Sequence, residues 1–236
     1  MNTPNKRKTQ SNGSTIKFEH LNKFEAFTAN QKKAKDYWDE GKNLFLSGSA
    51  GTGKSFLAIS FGLTEVLASD TPYDSLIIVR SMVPTRNPGF LPGDEKEKKE
   101  VYEKPYKKIA AEIAGDVTAY NKLTTAKTIQ FETTSFIRGL TVDNSILVVD
   151  ECQNLIGHEL DSVITRVGVN CRIIFSGDHF QSDFTNEKDK RGMADFMRIL
   201  KAMPDFAMVE FGWSDIVRSD FVRDYIMTKE MLKIRF

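Results

Sequence analysis

Asn43-Leu44-Phe45-Leu46-Ser47-Gly48-Ser49-Ala50-Gly51-Thr52-Gly53-Lys54-Ser55 decides the fold. A short apolar run ends at Gly48, and from there to Ser55 the residues fit G-x-x-x-x-G-K-[ST]. Residues 56–67 follow with apolar side chains at helical spacing, so the motif has the strand–loop–helix setting that phosphate binding needs. Glycines let the backbone curl until its N–H groups converge, and the positive end of the following helix falls at the same spot. Gly48, Ser49, Ala50, Gly51, Thr52, Gly53, Lys54 and Ser55 are therefore expected to cradle the phosphates of a nucleoside triphosphate. In that arrangement Lys54 reaches the β- and γ-phosphates and the Ser55 hydroxyl ligates Mg²⁺.

Working outward, 236 residues suffice to bury a core, and apolar and charged fractions of 40% and 28% are ordinary for a soluble globular protein. Basic and acidic residues number 33 and 32, so no overall positive field points to nucleic acid, and any such contact must come from a local patch. No signal peptide or membrane-length apolar run is visible, and Cys152 and Cys171 have neither zinc-ligand spacing nor the look of a disulfide framework. These features lead us to expect a reduced, cytoplasmic protein without a membrane partner.

Residues 1–15 carry almost nothing to bury and read as a disordered polar tail, with Lys6-Arg7-Lys8 as a solvated charge run; the folded domain is expected over 16–236. A helical pattern over 27–38 has Thr28 as its N-cap and Gln31 three residues on. Gln31 has two readings, one closing a capping box and the other offering its amide to the donor and acceptor edge of adenine. Buried strands are expected at 75–80, 128–132, 145–149, 171–176 and 206–211, a helical stretch at 101–123, and a C-terminal helix at 220–231. The Pro- and Gly-rich segment at 83–93 runs into a charged stretch at 94–100, long enough to be functional. That charge run reads either as a solvated helix start or as a nucleic-acid contact.

Two further strand ends carry chemistry. Ser145-Ile146-Leu147-Val148-Val149 runs into Asp150-Glu151 at the end of the strand where ligands of parallel sheets bind. Downstream of a phosphate loop, Asp150 is expected to hold Mg²⁺ and its waters, and Glu151 to act as base toward the attacking water. The strand at 171–176 leads into Gly177-Asp178-His179-Phe180-Gln181, which brings Asp178 to the nucleotide and Gln181 beside the γ-phosphate. His20, His158 and His179 lack partners for a metal site and read as structural.

With these stretches in place the chain resembles the PhoH-like proteins, a family of P-loop ATPases related to helicase cores. The resemblance runs from about Thr28 to Tyr225. It rests on Gly89-Phe90-Leu91-Pro92-Gly93 with Lys98, Phe136-Ile137-Arg138-Gly139, Asp150-Glu151-Cys152-Gln153-Asn154, Thr165-Arg166-Val167-Gly168, Gly177-Asp178-His179-Phe180-Gln181 and Asp215-Ile216-Val217-Arg218. Ser49, Ser81, Cys152 and Ser219 depart from the family's usual residues. The resemblance implies a single RecA-like core, an α/β fold with a mostly parallel sheet flanked by helices. It also implies ATP with Mg²⁺, Asp150 and Glu151 as metal and base residues, Gln181 as γ-phosphate sensor and Gln31 as adenine reader. With no second domain visible, it looks like the short ATPase-only form that phages often encode.

A lone core lacks the arginine that a second core would supply, a contribution of about 10³ to 10⁵ in rate. The expected remedy is a homo-oligomer, a hexameric ring in which Arg218 or Arg166 of one subunit reaches the phosphates of the next, with Arg138 a weaker candidate. Two functions follow. One couples ATP hydrolysis to single-stranded RNA or DNA, RNA foremost, with Arg80, Arg86, Lys96, Lys98 and Lys99 offered as strand contacts. The other is a nucleotide-gated assembly or regulatory ATPase that never moves along a strand. The Asp-Glu pair and the Gly-Asp-x-x-Gln turn favour water over a small-molecule phosphate acceptor.

Overall fold

Alternation along the strands dictates the architecture. The computed structural model describes residues 16–81, 95–134, 141–178 and 187–234. Leu44, Leu46, Leu76, Ile78, Ile146, Val148 and Ile174 pack into one apolar cluster, whereas Phe45, Ile77, Val79, Leu147, Val149, Ile173 and Phe175 pack into another. Successive residues of a strand point to opposite faces, so these strands are buried on both sides, as a parallel sheet between helical layers requires.

The elements in order are α1 (Ala29–Asp39), β1 (Asn43–Gly48), α2 (Lys54–Leu67), β2 (Ser75–Arg80), α3 (Glu95–Ala114), α4 (Ala119–Thr125) and β3 (Ile129–Thr133). They continue with β4 (Ser145–Val149), α5 (Gly157–Ile164), β5 (Arg172–Gly177), α6 (Glu187–Ala202), β6 (Phe206–Phe211) and α7 (Asp220–Met231). The strands form one parallel sheet in the order β3-β2-β4-β5-β1-β6. The α1, α2, α3 and α4 side chains join the first cluster, those of α5 and α6 the second. An α/β core with a parallel sheet flanked by helices is what the sequence led us to expect.

The strand order positions the site. β5 lies between β1 and β4, pairing Ser47 with Gly177 and Val149 with Phe175, so the loop after β1 and the acidic pair after β4 face each other across one intervening strand. At about 4.8 Å per strand spacing, that leaves roughly 10 Å between them, room for a phosphate chain.

One expectation is corrected. The single helical stretch over 101–123 is two helices, because Gly115 adopts φ 63° at the end of α3 and Asp116 then accepts from the Thr118 N–H at 2.8 Å. A left-handed glycine followed by an Asp side chain bonding the backbone two residues on ends one helix and starts another. Among the described residues no helix is long and apolar enough to cross a membrane.

Candidate functional site

The loop between β1 and α2 is held close to its neighbours. Gly48 has φ 122°, and a Cβ there would collide with the Phe211 carbonyl of β6. Gly51 has φ 75°, and a Cβ there would lie 2.9 Å from Arg218 Cγ. Only glycine serves where a positive φ and a close approach coincide. Lys54, the first residue of α2, is buried; its Nζ donates to the Gly48 carbonyl at 2.9 Å and the Ser49 carbonyl at 2.7 Å. Burial lowers its pKa, while Asp178, Glu151 and Asp150 pull the other way. A buried ammonium held by two carbonyls and facing three carboxylates is placed to exchange those carbonyls for phosphate oxygens.

Asp150 follows directly on β4 and is engaged through both oxygens. Oδ1 accepts from the Ser55 hydroxyl at 2.8 Å and Oδ2 from the Tyr106 hydroxyl of α3 at 2.9 Å. Ser55 and Asp150, named from sequence as the Mg²⁺ residues, are thus brought together, and their oxygen donors suit a hard divalent cation. Tyr106 is buried, and its pKa lies well above the ordinary phenol value because of burial and the adjacent Asp150, so it stays a neutral donor.

Glu151 sits in the left-handed region at φ 52°, ψ 41°. That conformation is costly for a non-glycine residue, and such residues cluster where a side chain must be aimed. Its Oε2 accepts from Gln153 Nε2, and Gln153 Oε1 in turn accepts from the Asp178 N–H at 3.0 Å, so one amide ties the end of β4 to the end of β5. Burial, and then Asp150, raise the Glu151 pKa, with Gln153, Arg80 and Lys54 opposing. Raised basicity at a site lined by a loop lysine is what a proton acceptor needs. Lys54, Asp150, Glu151, Asp178, Arg80 and Arg218 all line one cleft of about 790 Å³.

Gln31 also has a structural task in the loop. Its backbone N–H is capped by Thr28 Oγ1 at 3.3 Å, but its side chain does not complete a capping box with Thr28. Instead Oε1 accepts from the Phe27 N–H at 2.8 Å and Nε2 donates to the Thr52 carbonyl of the loop at 3.2 Å. The amide braces the phosphate loop while lining the cleft, and among the described residues each of its two ends makes one hydrogen bond, leaving a second position at each.

The two arginines part company. Arg218 lies against Gly51 of its own loop, and the neighbouring Val217 N–H donates to the Gly51 carbonyl at 3.0 Å. Arg166 follows α5 before the N-terminal ends of β4 and β5, where Val142 bridges to Val167; its Nε is buried without a hydrogen-bond partner among the described residues. Gln181, Arg138, His179, Arg86 and the Lys6-Arg7-Lys8 run lie outside the described residues, as do the side chains of Lys96 and Lys98. Of the remaining strand-contact candidates, Arg80 lies over the Tyr102 ring at 5.7 Å and Lys99 over the Phe131 ring at 5.6 Å.

Sequence reasoning assigned no role to Tyr106, Gln153 or Glu230. Gln153 lies two residues past Glu151, and its motif carried the resemblance, so a signal existed. Glu230 of α7 accepts from Ser49 Oγ at 3.0 Å and from Trp213 Nε1, contacts that span 181 and 17 residues and leave no local trace.

Among solved structures, the chain is similar in fold to the large terminase of a thermophilic bacteriophage in complex with ADP, at 14% identity and TM-score 0.49, over 87% of this chain and 50% of that one. It is also similar to Pif1 helicase from Candida albicans, at 16% identity and TM-score 0.45, over 89% and 44%. A PhoH-like protein of Synechocystis is 32% identical over 192 residues, 79% of this chain and 56% of the relative. Protein PhoH of Escherichia coli is 28% identical over 76% of this chain and 51% of its own length. The chain thus spans about half the length of these two relatives. Residues 23–229 match the family described as PhoH-like protein, and the chain belongs to that family.

Proposed function

We propose that this chain is an ATPase that binds ATP with Mg²⁺ in the cleft and works as a homo-oligomer on single-stranded nucleic acid, RNA foremost. The observation that carries the ATPase reading is the convergence of Lys54, the Ser55–Asp150 pair and a basic Glu151 at the ends of β1 and β4. Ser55 and Asp150 would hold Mg²⁺, which would supply charge neutralisation at the phosphate oxygens. Lys54 leaves the Gly48 and Ser49 carbonyls for the β- and γ-phosphates. Glu151, aimed by Gln153, takes the proton of a water as its oxygen bonds the γ-phosphorus and the bond to the β-phosphate oxygen breaks, giving ADP and phosphate. Gln31 and Asp178 bind the nucleotide, and Gln181 orients the water.

Arg218, lying on its own loop, serves the phosphates of its own chain. Arg166, remote from its own cleft, is the arginine offered to a neighbour's site in a ring, for which a hexamer is the expected closed form. Steady-state ATPase rate against protein concentration, with and without single-stranded RNA, tests this reading. Specific activity that climbs with concentration and rises further with RNA supports it. A rate that climbs but ignores RNA favours a nucleotide-gated assembly ATPase, and a flat, RNA-insensitive rate contradicts both the shared site and the strand coupling.

A further inference from the structure

Asp150 is a metal residue whose second oxygen is already engaged. Ser55 bonds Oδ1, and the phenol of Tyr106 bonds Oδ2 from a helix 44 residues away in sequence. The terminal torsion of an aspartate is broad and roughly two-fold, so one bond leaves the carboxylate plane free to turn and a second on the other oxygen fixes it. The Tyr106 ring is itself fixed, buried and tilted against Phe131 of β3 at 5.7 Å between centroids. A phenol orients a carboxylate through a hydrogen bond without bringing a formal charge of its own, as a lysine there would.

We propose that Tyr106 is a positioning residue for the divalent cation, acting through Asp150; this rests on the Mg²⁺-ATP reading above. The hydroxyl sets the Asp150 carboxylate before nucleotide arrives, and α3 is thereby tied to the metal half of the cleft. A phenol that merely filled the core would contribute packing and no metal affinity.

The test is Tyr106→Phe, which keeps the ring and its packing and removes the oxygen. Mn²⁺ affinity, measured by electron paramagnetic resonance on the full chain with a non-hydrolysable ATP analogue, should weaken about 10-fold, the usual scale for an outer-shell partner. The Mg²⁺ concentration for half-maximal turnover should rise by a similar factor, with activity recovered at high Mg²⁺, while analogue binding without metal stays unchanged. Phe131→Leu, which loosens the ring's neighbour but keeps the hydroxyl, should lower the melting temperature and leave Mn²⁺ affinity alone. Unchanged Mn²⁺ affinity and half-saturation in Tyr106→Phe would overturn the positioning role alone. Failure of the wild-type chain to bind Mn²⁺ with the analogue would overturn the Mg²⁺-ATP reading and this role with it.

Discussion

The two walls of the cleft are made of different material. One wall is the edge of the sheet: β1, β5 and β4 end there, their strands buried, and Lys54, Ser55, Asp150, Glu151 and Asp178 are set by backbone register and short hydrogen bonds. The other, the α7 wall, is the segment 213–218, whose Val217 and Arg218 line the cleft and which leads into α7. No residue of α7 is buried, and Phe221 and Tyr225 are exposed on it. This wall meets the loop through Glu230 with Ser49 and the Val217 N–H on the Gly51 carbonyl, and is tied within itself by Trp213 donating to Glu230. A wall anchored in the core holds reacting groups in place, whereas one resting on a few polar contacts opens at low cost. On the proposed chemistry, the sheet wall performs hydrolysis and the α7 wall governs how long nucleotide stays.

That contrast is broken or sharpened by substitutions on either side. The largest effect is expected on the sheet wall: Glu151→Gln should cut single-turnover hydrolysis about 10²- to 10⁴-fold while ATP affinity holds. Hydrolysis at the wild-type rate would remove Glu151 as the base. The same residue sets the pH profile. Its ionised form accepts the proton, and since burial raises its pKa, the acid limb of kcat should sit above the ordinary carboxylate range and vanish from the residual activity of Glu151→Gln. A limb at the ordinary position would mean that the group is not desolvated when nucleotide is bound.

Ser55→Ala comes next: with one oxygen ligand lost, Mg²⁺ half-saturation should rise about tenfold, at least the scale of losing an outer-shell partner. No change would place the cation elsewhere. The smallest effect belongs to the α7 wall. Trp213→Phe removes the indole donor to Glu230, and a fluorescent ATP analogue should then dissociate about threefold faster with the hydrolysis step unaltered, as the loss of one modest hydrogen bond allows. A large fall in the hydrolysis step instead would show that α7 belongs to the chemistry.

Sequence reached the first wall far better than the second. β1, β2 and β4 are uninterrupted apolar runs with turns around them, so their span is a local property, and the loop and acidic pair follow at their ends. Contacts between distant segments left no such trace. Tyr106 reads as one more aromatic in a charged helix until α3 lays it on Asp150. Locally the Gln31 side chain reads as a cap or a base reader, and nothing local shows that it also donates to the Thr52 carbonyl, 21 residues on. Met193, Phe196 and Leu200 repeat at helical spacing in α6, a pattern legible in the sequence itself. Gly115 likewise marked the break between α3 and α4, but a glycine inside a helical pattern signals an end only when its neighbours supply a cap.

Everything proposed for the cleft stands first on Lys54 binding phosphate, and isothermal titration of Mg²⁺-ATP into the wild-type chain and into Lys54→Ala tests that most directly. One saturable site is expected in the wild type and loss of measurable binding in the variant, with the fold intact by circular dichroism. Equal affinity in the two would contradict it, because the ammonium buried between the Gly48 and Ser49 carbonyls would then be a structural brace and the cleft would not be a nucleotide site.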